Sequence, residues 1–188
     1  LYGVVDIVAT SRAFAEIDYN GQIISWGDTN FGGTGAPSDS GYKQVYASNA
    51  AFVAVRQNGA LQAWGSSANG GSNAPTGTGY TQVISNKNAF AALKSDGSIA
   101  AWGNSAFGGS SAPTGSGFRA IYSTQSAFAA IKADGSITVW GNTYSGGSNG
   151  PNSTVTGFTK LYAGLDSFAA LKADGSITVW GDATNMAT

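Results

Sequence analysis

A tryptophan followed by glycine recurs about every 38 residues along this chain of 188 residues. The five copies of it are Trp26, Trp64, Trp102, Trp140 and Trp180. A phenylalanine precedes each tryptophan by twelve positions, at Phe14, Phe52, Phe90, Phe128 and Phe168. A fixed period of this length is typical of propellers and solenoids, in which one small unit is copied along the chain. The sequence therefore predicts one repeat domain over residues 1-188, with copies at about 4-41, 42-79, 80-117, 118-157 and 158-188.

Each copy carries a hairpin signal between its phenylalanine and its tryptophan. An Asn-Gly or Asp-Gly pair separates two apolar runs, at Asn20-Gly21, Asn58-Gly59, Asp96-Gly97, Asp134-Gly135 and Asp174-Gly175. Such pairs favour tight hairpins because glycine adopts positive φ freely and Asn or Asp tolerates it. The run before Asp96 is apolar on both sides of a strand, with Phe90 and Ala92 facing one way and Ala91 and Leu93 the other. We therefore expect strands that are covered on both faces.

Coverage on both faces favours a propeller blade, sandwiched between its neighbours, over a solenoid wall with one wet face. The expected fold is an all-β, five-bladed β-propeller, with a β-solenoid or an open stacked repeat array as the alternative. We expect the first blade to pack on the fifth and close a ring. The first copy departs from the others at Glu16 and Asp18, which a strand places on one face and which resemble the polar cap of a terminal repeat. The fifth copy has no such change, so its outer face is expected to seek a partner.

Two segments of the repeat resemble the regulator of chromosome condensation family. Residues 168-181 read FAALKADGSITVWG, and residues 102-109 read WGNSAFGG. The family's repeat is similar: an apolar strand, an Asp-Gly hairpin, a Trp-Gly pair and a loop rich in Asn and Gly. The resemblance covers all five copies and implies a β-propeller, seven-bladed when complete, but no single activity. The short, nearly identical later copies look like those of bacterial or environmental surface proteins.

Composition excludes several classes of partner. Nine basic and ten acidic residues give a net charge of -1, so no basic patch is available for nucleic acid or for an anionic membrane. The apolar runs are too short for a transmembrane helix, which argues against membrane insertion. Low charge and the absence of cysteine favour an extracellular or cell-surface location, with a cytoplasmic location as the alternative.

The sequence contains no catalytic constellation that we can assign. Histidine and cysteine are absent, which excludes catalytic triads, thiol nucleophiles and the usual zinc ligands. We therefore expect no enzyme activity, no cofactor and no metal. The carboxylates of the Asp-Gly pairs are interpreted as turn formers, and each tryptophan as a filler between sheets. The Asp and Asn side chains in the loops after the tryptophans offer oxygen atoms of the kind that bind calcium, but Ser66 interrupts the series.

The loops after the tryptophans vary from copy to copy and supply the candidate ligand-binding residues. These rim candidates are Asp28, Phe31, Asn104, Phe107, Asn142 and Asp182. Three roles remain open: a structural, adhesive or filament-forming module that binds other copies of itself or a surface protein, a lectin-like propeller with one weak glycan site per repeat, and a protein-interaction propeller. The structural module is the leading hypothesis.

Overall fold

The computed structural model describes residues 3–182, which form five antiparallel three-stranded sheets, one for each copy. Blade 1 contains β1 (Val4–Ala9), β2 (Ala13–Asp18) and β3 (Ile23–Gly27). Blades 2 and 3 contain β4 (Tyr42–Ala47), β5 (Ala51–Arg56), β6 (Leu61–Gly65), β7 (Tyr80–Ser85), β8 (Ala89–Lys94) and β9 (Ile99–Gly103). Blades 4 and 5 contain β10 (Phe118–Ser123), β11 (Ala127–Lys132), β12 (Ile137–Gly141), β13 (Phe158–Ala163), β14 (Ser167–Lys172) and β15 (Ile177–Gly181). The expected all-β propeller of five blades is confirmed, with three strands in each blade.

Short helical turns follow the third strand in the first four blades. They span Thr29–Phe31, Ser67–Asn69, Ser105–Phe107 and Thr143–Gly147. None of the helices in residues 3–182 is long and apolar enough to cross a membrane.

The strand order fixes two ends of the propeller. The turn between the first and second strands of a blade lies at the same end as the loop after its third strand, and we call this the turn end. The Asn-Gly or Asp-Gly hairpin lies at the opposite end, which we call the hairpin end. There the chain enters the next blade, and Tyr42 N–H donates to the Gly21 carbonyl at 3.2 Å. The first strands of neighbouring blades lie side by side, so they form the innermost layer.

Successive blades pack through two different faces. The face that carries the phenylalanine and tryptophan is called the leading face, and the opposite one the trailing face. In each blade Phe and Trp stand opposite each other on the second and third strands, with rings stacked 5.1 Å apart for Phe52 and Trp64. The leading face of blade 2 is buried against Ala15 and Ile17 on the trailing face of blade 1. The same contact recurs at the next three interfaces.

The outer faces of the first and last blades are uncovered. Phe14 is 46% exposed on the leading face of blade 1, whereas Phe52 at the same phase is fully buried. Ile177 is 65% exposed on the trailing face of blade 5, whereas Ile137 at the same phase is 1% exposed. The expectation that blade 1 closes on blade 5 is therefore wrong for the described chain. Closure depends on the angle between successive blades, and these five blades form an open arc.

Candidate functional site

One residue from each blade forms a continuous row across the turn end. These residues, which we call the turn row, are Ser11, Asn49, Lys87, Gln125 and Leu165. Each backbone N–H donates to the carbonyl of the next member, at 2.9 Å from Ser11 to Asn49 and 2.8 Å from Asn49 to Lys87. The backbone is thus fixed while the side chain is different at every step. A fixed spacing with variable side chains is a geometry suited to recognition of an extended partner surface.

In the first four blades, the polar side chain directly before the row residue anchors the loop that follows the third strand. Thr10 Oγ1 donates to the Phe31 carbonyl at 3.0 Å and accepts from Ala13 N–H at the same distance. Asn86 performs the same task in blade 3, where its Nδ2 donates to the Phe107 carbonyl at 2.7 Å. These side chains are committed to the fold, whereas the row residues that follow them differ from blade to blade.

A shallow cavity of about 410 Å³ opens along the row in blades 1 to 3. It is lined by the ends of the inner strands and by the turns that contain Ser11, Asn49 and Lys87. Lys87 brings a positive charge to this stretch. Further along the row, Asp166 accepts hydrogen bonds from Gln125 Nε2 at 2.5 Å and from Ser145 Oγ at 2.7 Å. The row therefore carries a positive charge at Lys87, and at Gln125 its side chain is held by the neighbouring carboxylate of Asp166.

The structure brings the sequence-predicted rim candidates to the same end as the turn row. Asp28, Asn104 and Asn142 each begin a helical turn, and their side-chain oxygens accept a backbone N–H two residues later at 2.9 Å. This capping occupies part of each side chain's hydrogen-bonding capacity. Asp182 N–H donates to the Asp166 carbonyl at 2.9 Å. A binding role for these polar candidates stays a prediction.

The two aromatic candidates are half-buried and contribute to packing. Phe31 packs against the cluster between blades 1 and 2, and the Arg12 guanidinium lies 5.0 Å from its ring centre. Phe107 packs against the cluster between blades 3 and 4. Their rings are therefore only partly available to a ligand.

Four of the five tryptophans are structural. Trp64, Trp102, Trp140 and Trp180 are at most 5% exposed, and each indole Nε1 donates to a glycine carbonyl of the preceding blade. The expectation of burial between blades is confirmed for these four. Trp26 is 42% exposed because no blade within residues 3–182 packs on the leading face of blade 1.

The two unusual carboxylates of the first copy, Glu16 and Asp18, have different surroundings. Asp18 Oδ1 accepts from the N–H groups of Asn20 and Gln22, at 2.9 and 2.8 Å, and so holds its hairpin. Glu16 stands on the leading face, where the other blades have alanine, and is 8% exposed. Within residues 3–182 no group of three or more acidic, His or Cys side chains is placed to hold a metal ion.

The hairpin carboxylates are held in their ionised form by local hydrogen bonds. The Ser98 hydroxyl and then the Ser98 backbone N–H donate to Asp96, and these bonds lower the pKa of Asp96. The equivalent bonds from Ser136 and Ser176 lower the pKa of Asp134 and of Asp174. The perturbed carboxylates thus lie at the hairpin end, away from the turn row, and have turn-forming partners.

The fold and the arrangement of strands define a β-propeller, and its repeats resemble those of the regulator of chromosome condensation family. No family model matches the sequence, and no curated protein is similar to it in sequence. The likeness is instead to solved structures. The ectodomain of the Physcomitrella patens receptor kinase CR4 is 22% identical, with a TM-score of 0.67, over 98% of this chain and 53% of that one.

Two further structures are similar in the same way. Prp20p from Saccharomyces cerevisiae, the yeast RCC1 protein, is 18% identical with a TM-score of 0.60, over 95% of this chain and 58% of that one. The ectodomain of the Arabidopsis thaliana receptor kinase ACR4 is 14% identical with a TM-score of 0.62, over 95% and 63%. The chain thus spans little more than half the length of these proteins. At these identities the likeness establishes the fold.

Sequence reasoning placed the variable surface in the loops after the tryptophans and missed the turn row. The signal lies three residues before each repeat phenylalanine, where the five copies in order carry Ser, Asn, Lys, Gln and Leu. Variation at that phase stands out only once the flanking Thr10 and Asn86 are known to be committed to the fold.

Proposed function

We propose that this chain is a non-enzymatic, extracellular or cell-surface interaction module with a structural or adhesive role, and that it binds a surface protein through the turn row. The observation that carries the proposal is the row itself: five different side chains at one phase, spaced by a chain of backbone hydrogen bonds. Four of the five are exposed and Gln125 is half-buried, which leaves the row available for contact. Recognition residues carried on a rigid scaffold are a common arrangement in binding proteins.

The similar structures support this reading at the level of class. Prp20p is described with binding properties to Gsp1p and histones, and in complex with Kap60. The similar CR4 and ACR4 structures are ectodomains of receptor kinases. We take from them that a propeller of this fold can present protein-binding surfaces, and that the fold is compatible with the cell exterior. The partner of this chain is to be found by experiment.

The test is a binding screen with two matched variants. The immobilised chain is presented with purified secreted proteins, receptor ectodomains and a glycan array. One variant replaces Asn49, Lys87 and Gln125 with alanine at the turn end. The control replaces Gln57, Ser95 and Ala133 with serine or alanine at the hairpin end, where the residues are equally accessible.

We expect saturable binding to a protein that the turn-row variant loses and the control retains. Binding that survives the turn-row variant would contradict the assignment of the surface. Binding to glycans alone would favour the lectin-like alternative, and the absence of any saturable binding would contradict the proposed function.

A further inference from the structure

Each internal interface of the propeller is a copy of the same contact. A leading face packs on the trailing face of the preceding blade, and two hydrogen bonds cross the boundary at fixed phases. One joins successive members of the turn row, as from Lys87 N–H to the Gln125 carbonyl at 3.1 Å. The other runs from a tryptophan indole to a glycine carbonyl, as from Trp140 to Gly108 at 3.1 Å. The four internal interfaces therefore show what each kind of face binds.

The two end faces are the unpaired halves of this contact. Blade 1 presents a leading face with Phe14 and Trp26, which are 46% and 42% exposed. Blade 5 presents a trailing face with Tyr162, Ile177 and Val179, which are 54%, 65% and 46% exposed. Apolar surface that is buried at four interfaces and bare at the two ends favours a contact that buries it.

The backbone groups at the ends are also complementary. Within the turn row each member donates its N–H to the next blade, so the series begins with the carbonyl of Ser11 and ends with the N–H of Leu165. Gln125 donates to the Leu165 carbonyl at 2.9 Å, and no sixth blade follows within residues 3–182 to receive the Leu165 N–H. A second copy placed after blade 5 would offer the carbonyl of its Ser11 at this position.

Opposite charges occur at the two end faces. Glu16 replaces Ala54, Ala92, Ala130 and Ala170 on the leading face, and Lys160 on the trailing face is the cation at a phase that carries Asp6, Gln44, Gln82 and Ala120 in the other blades. Gln82 shows where a side chain at this phase reaches. Its amide bonds both the N–H and the carbonyl of Ile121 in the next blade, at 3.0 and 2.8 Å.

The internal geometry brings these two charges together across an end-to-end contact. Ile121 has the phase of Ile7, and Ile7 is the cross-strand partner of Glu16. A Lys160 side chain that reaches Ile7 of another copy therefore arrives beside the Glu16 carboxylate. Lys160 and Glu16 would then form a cross-copy ion pair, which fixes the register of the contact.

We infer that the trailing face of blade 5 binds the leading face of blade 1 of a second copy of this chain, head to tail, with Lys160 and Glu16 paired across the contact. Such a contact is heterologous, so it propagates into a filament or closes into a ring of several copies. The inference goes beyond the proposed function, because it uses neither the turn-row side chains nor their partner.

The decisive experiment uses two charge-reversed variants. When the Glu16→Lys variant is alone in solution, its new lysine faces Lys160 of the next copy at every contact. When the Lys160→Glu variant is alone, its new glutamate faces Glu16 of the next copy. Sedimentation velocity over a concentration series should show self-association of the unchanged chain and at least about a tenfold weaker association of each variant alone, since like charges across a contact cost several kcal/mol. An equimolar mixture of the two variants pairs opposite charges at every contact and should regain association.

Cysteine pairs give a second readout that does not depend on affinity. The chain has no cysteine, so S11C/L165C reports only the proposed contact. N49C/K87C is the control, because these two positions are neighbours in the turn row of one chain, where the Asn49 N–H donates to the Lys87 carbonyl at 2.8 Å. Under mild oxidation the control should link within one chain and the end pair between chains.

Three results would overturn the inference: an unchanged chain that stays monomeric up to about millimolar concentration, a charge-variant mixture that associates no better than its components, or an end pair that links within one chain. Turn-row variants should associate as the unchanged chain does, so the outcome is separate from that of the binding screen.

Discussion

The indole Nε1 of Trp102 donates a hydrogen bond of 3.0 Å to the carbonyl oxygen of Gly70, 32 positions earlier in the chain. The ring stacks on Phe90 at 5.4 Å and is 4% exposed. Gly70 has a positive φ of 92°, and a side chain there would meet the Phe90 ring at 2.6 Å. One tryptophan thus joins its own blade to the preceding one through both a polar and an apolar contact.

Replacement of Trp102 by alanine should lower the free energy of unfolding by about 3–5 kcal/mol, because it empties a large aromatic site and leaves the Gly70 carbonyl unpaired. Urea denaturation followed by circular dichroism measures the loss. Trp26→Ala is the matched control and should cost clearly less, since Trp26 is 42% exposed. Equal losses would show that the interface between blades is not what makes Trp102 important.

The hairpin glycines separate backbone strain from close contact. Gly97 and Gly175 have similar positive φ, 80° and 86°, but an added Cβ would lie 2.5 Å from the Gly117 nitrogen only at Gly97. Gly175→Ala should cost about 1–2 kcal/mol from the left-handed backbone alone. Gly97→Ala should cost more, because the next blade must also move. Thermal unfolding of both variants measures the difference, and a larger loss at Gly175 would contradict the packing of blade entry against the hairpin.

Asp96→Asn should leave stability at neutral pH nearly unchanged, because Asn58 makes the same turn with its Oδ1 accepting from Ala60 N–H at 3.0 Å. The same substitution at Asp134 and Asp174 completes a triple variant. Loss of a ligand-binding function by Asp96→Asn at unchanged stability would assign the carboxylate a role beyond the turn.

The three hairpin aspartates should also make the chain sensitive to acid. The pKa of each is lowered in the folded state from a usual value of 3.8, first by hydrogen bonds from Ser98, Ser136 and Ser176. A depressed pKa contributes stability above the unfolded value, and this contribution is lost as the pH falls below about 3.8 through the folded pKa. The triple Asn variant should therefore lose less stability than the unchanged chain between neutral and strongly acid pH. A parallel pH dependence of the two proteins would contradict it.

Amide hydrogen exchange should distinguish the inside of the turn row from its end. The N–H groups of Asn49 and Gln125 are bonded to the following blade and should exchange slowly. The Leu165 N–H should exchange fast in dilute solution and become protected at concentrations where the chain associates. Fast exchange at Asn49 would mean that the row is not held as described.

The repeated features of this fold were predictable from sequence, and the features that depend on the relation between distant blades were not. Burial of Trp102 and the turn at Asp96-Gly97 follow from local patterns that occur five times. The open ends at Phe14 and Ile177 depend on the angle at which blades succeed one another, which no single repeat encodes. The turn row escaped notice because its five members are far apart in sequence and differ in type.

The equivalence of the internal interfaces has a consequence for how such a gene can change. A crossover between the codons of Trp102 and those of Trp140 would remove one whole blade of 38 residues, and duplication would add one. In either product every surviving leading face would still meet a trailing face at the phases it had before. Unequal recombination can therefore change the number of blades without creating a mismatched interface between blades. Each turn-row residue stays with its own blade, so the same event changes the order of side chains along the row.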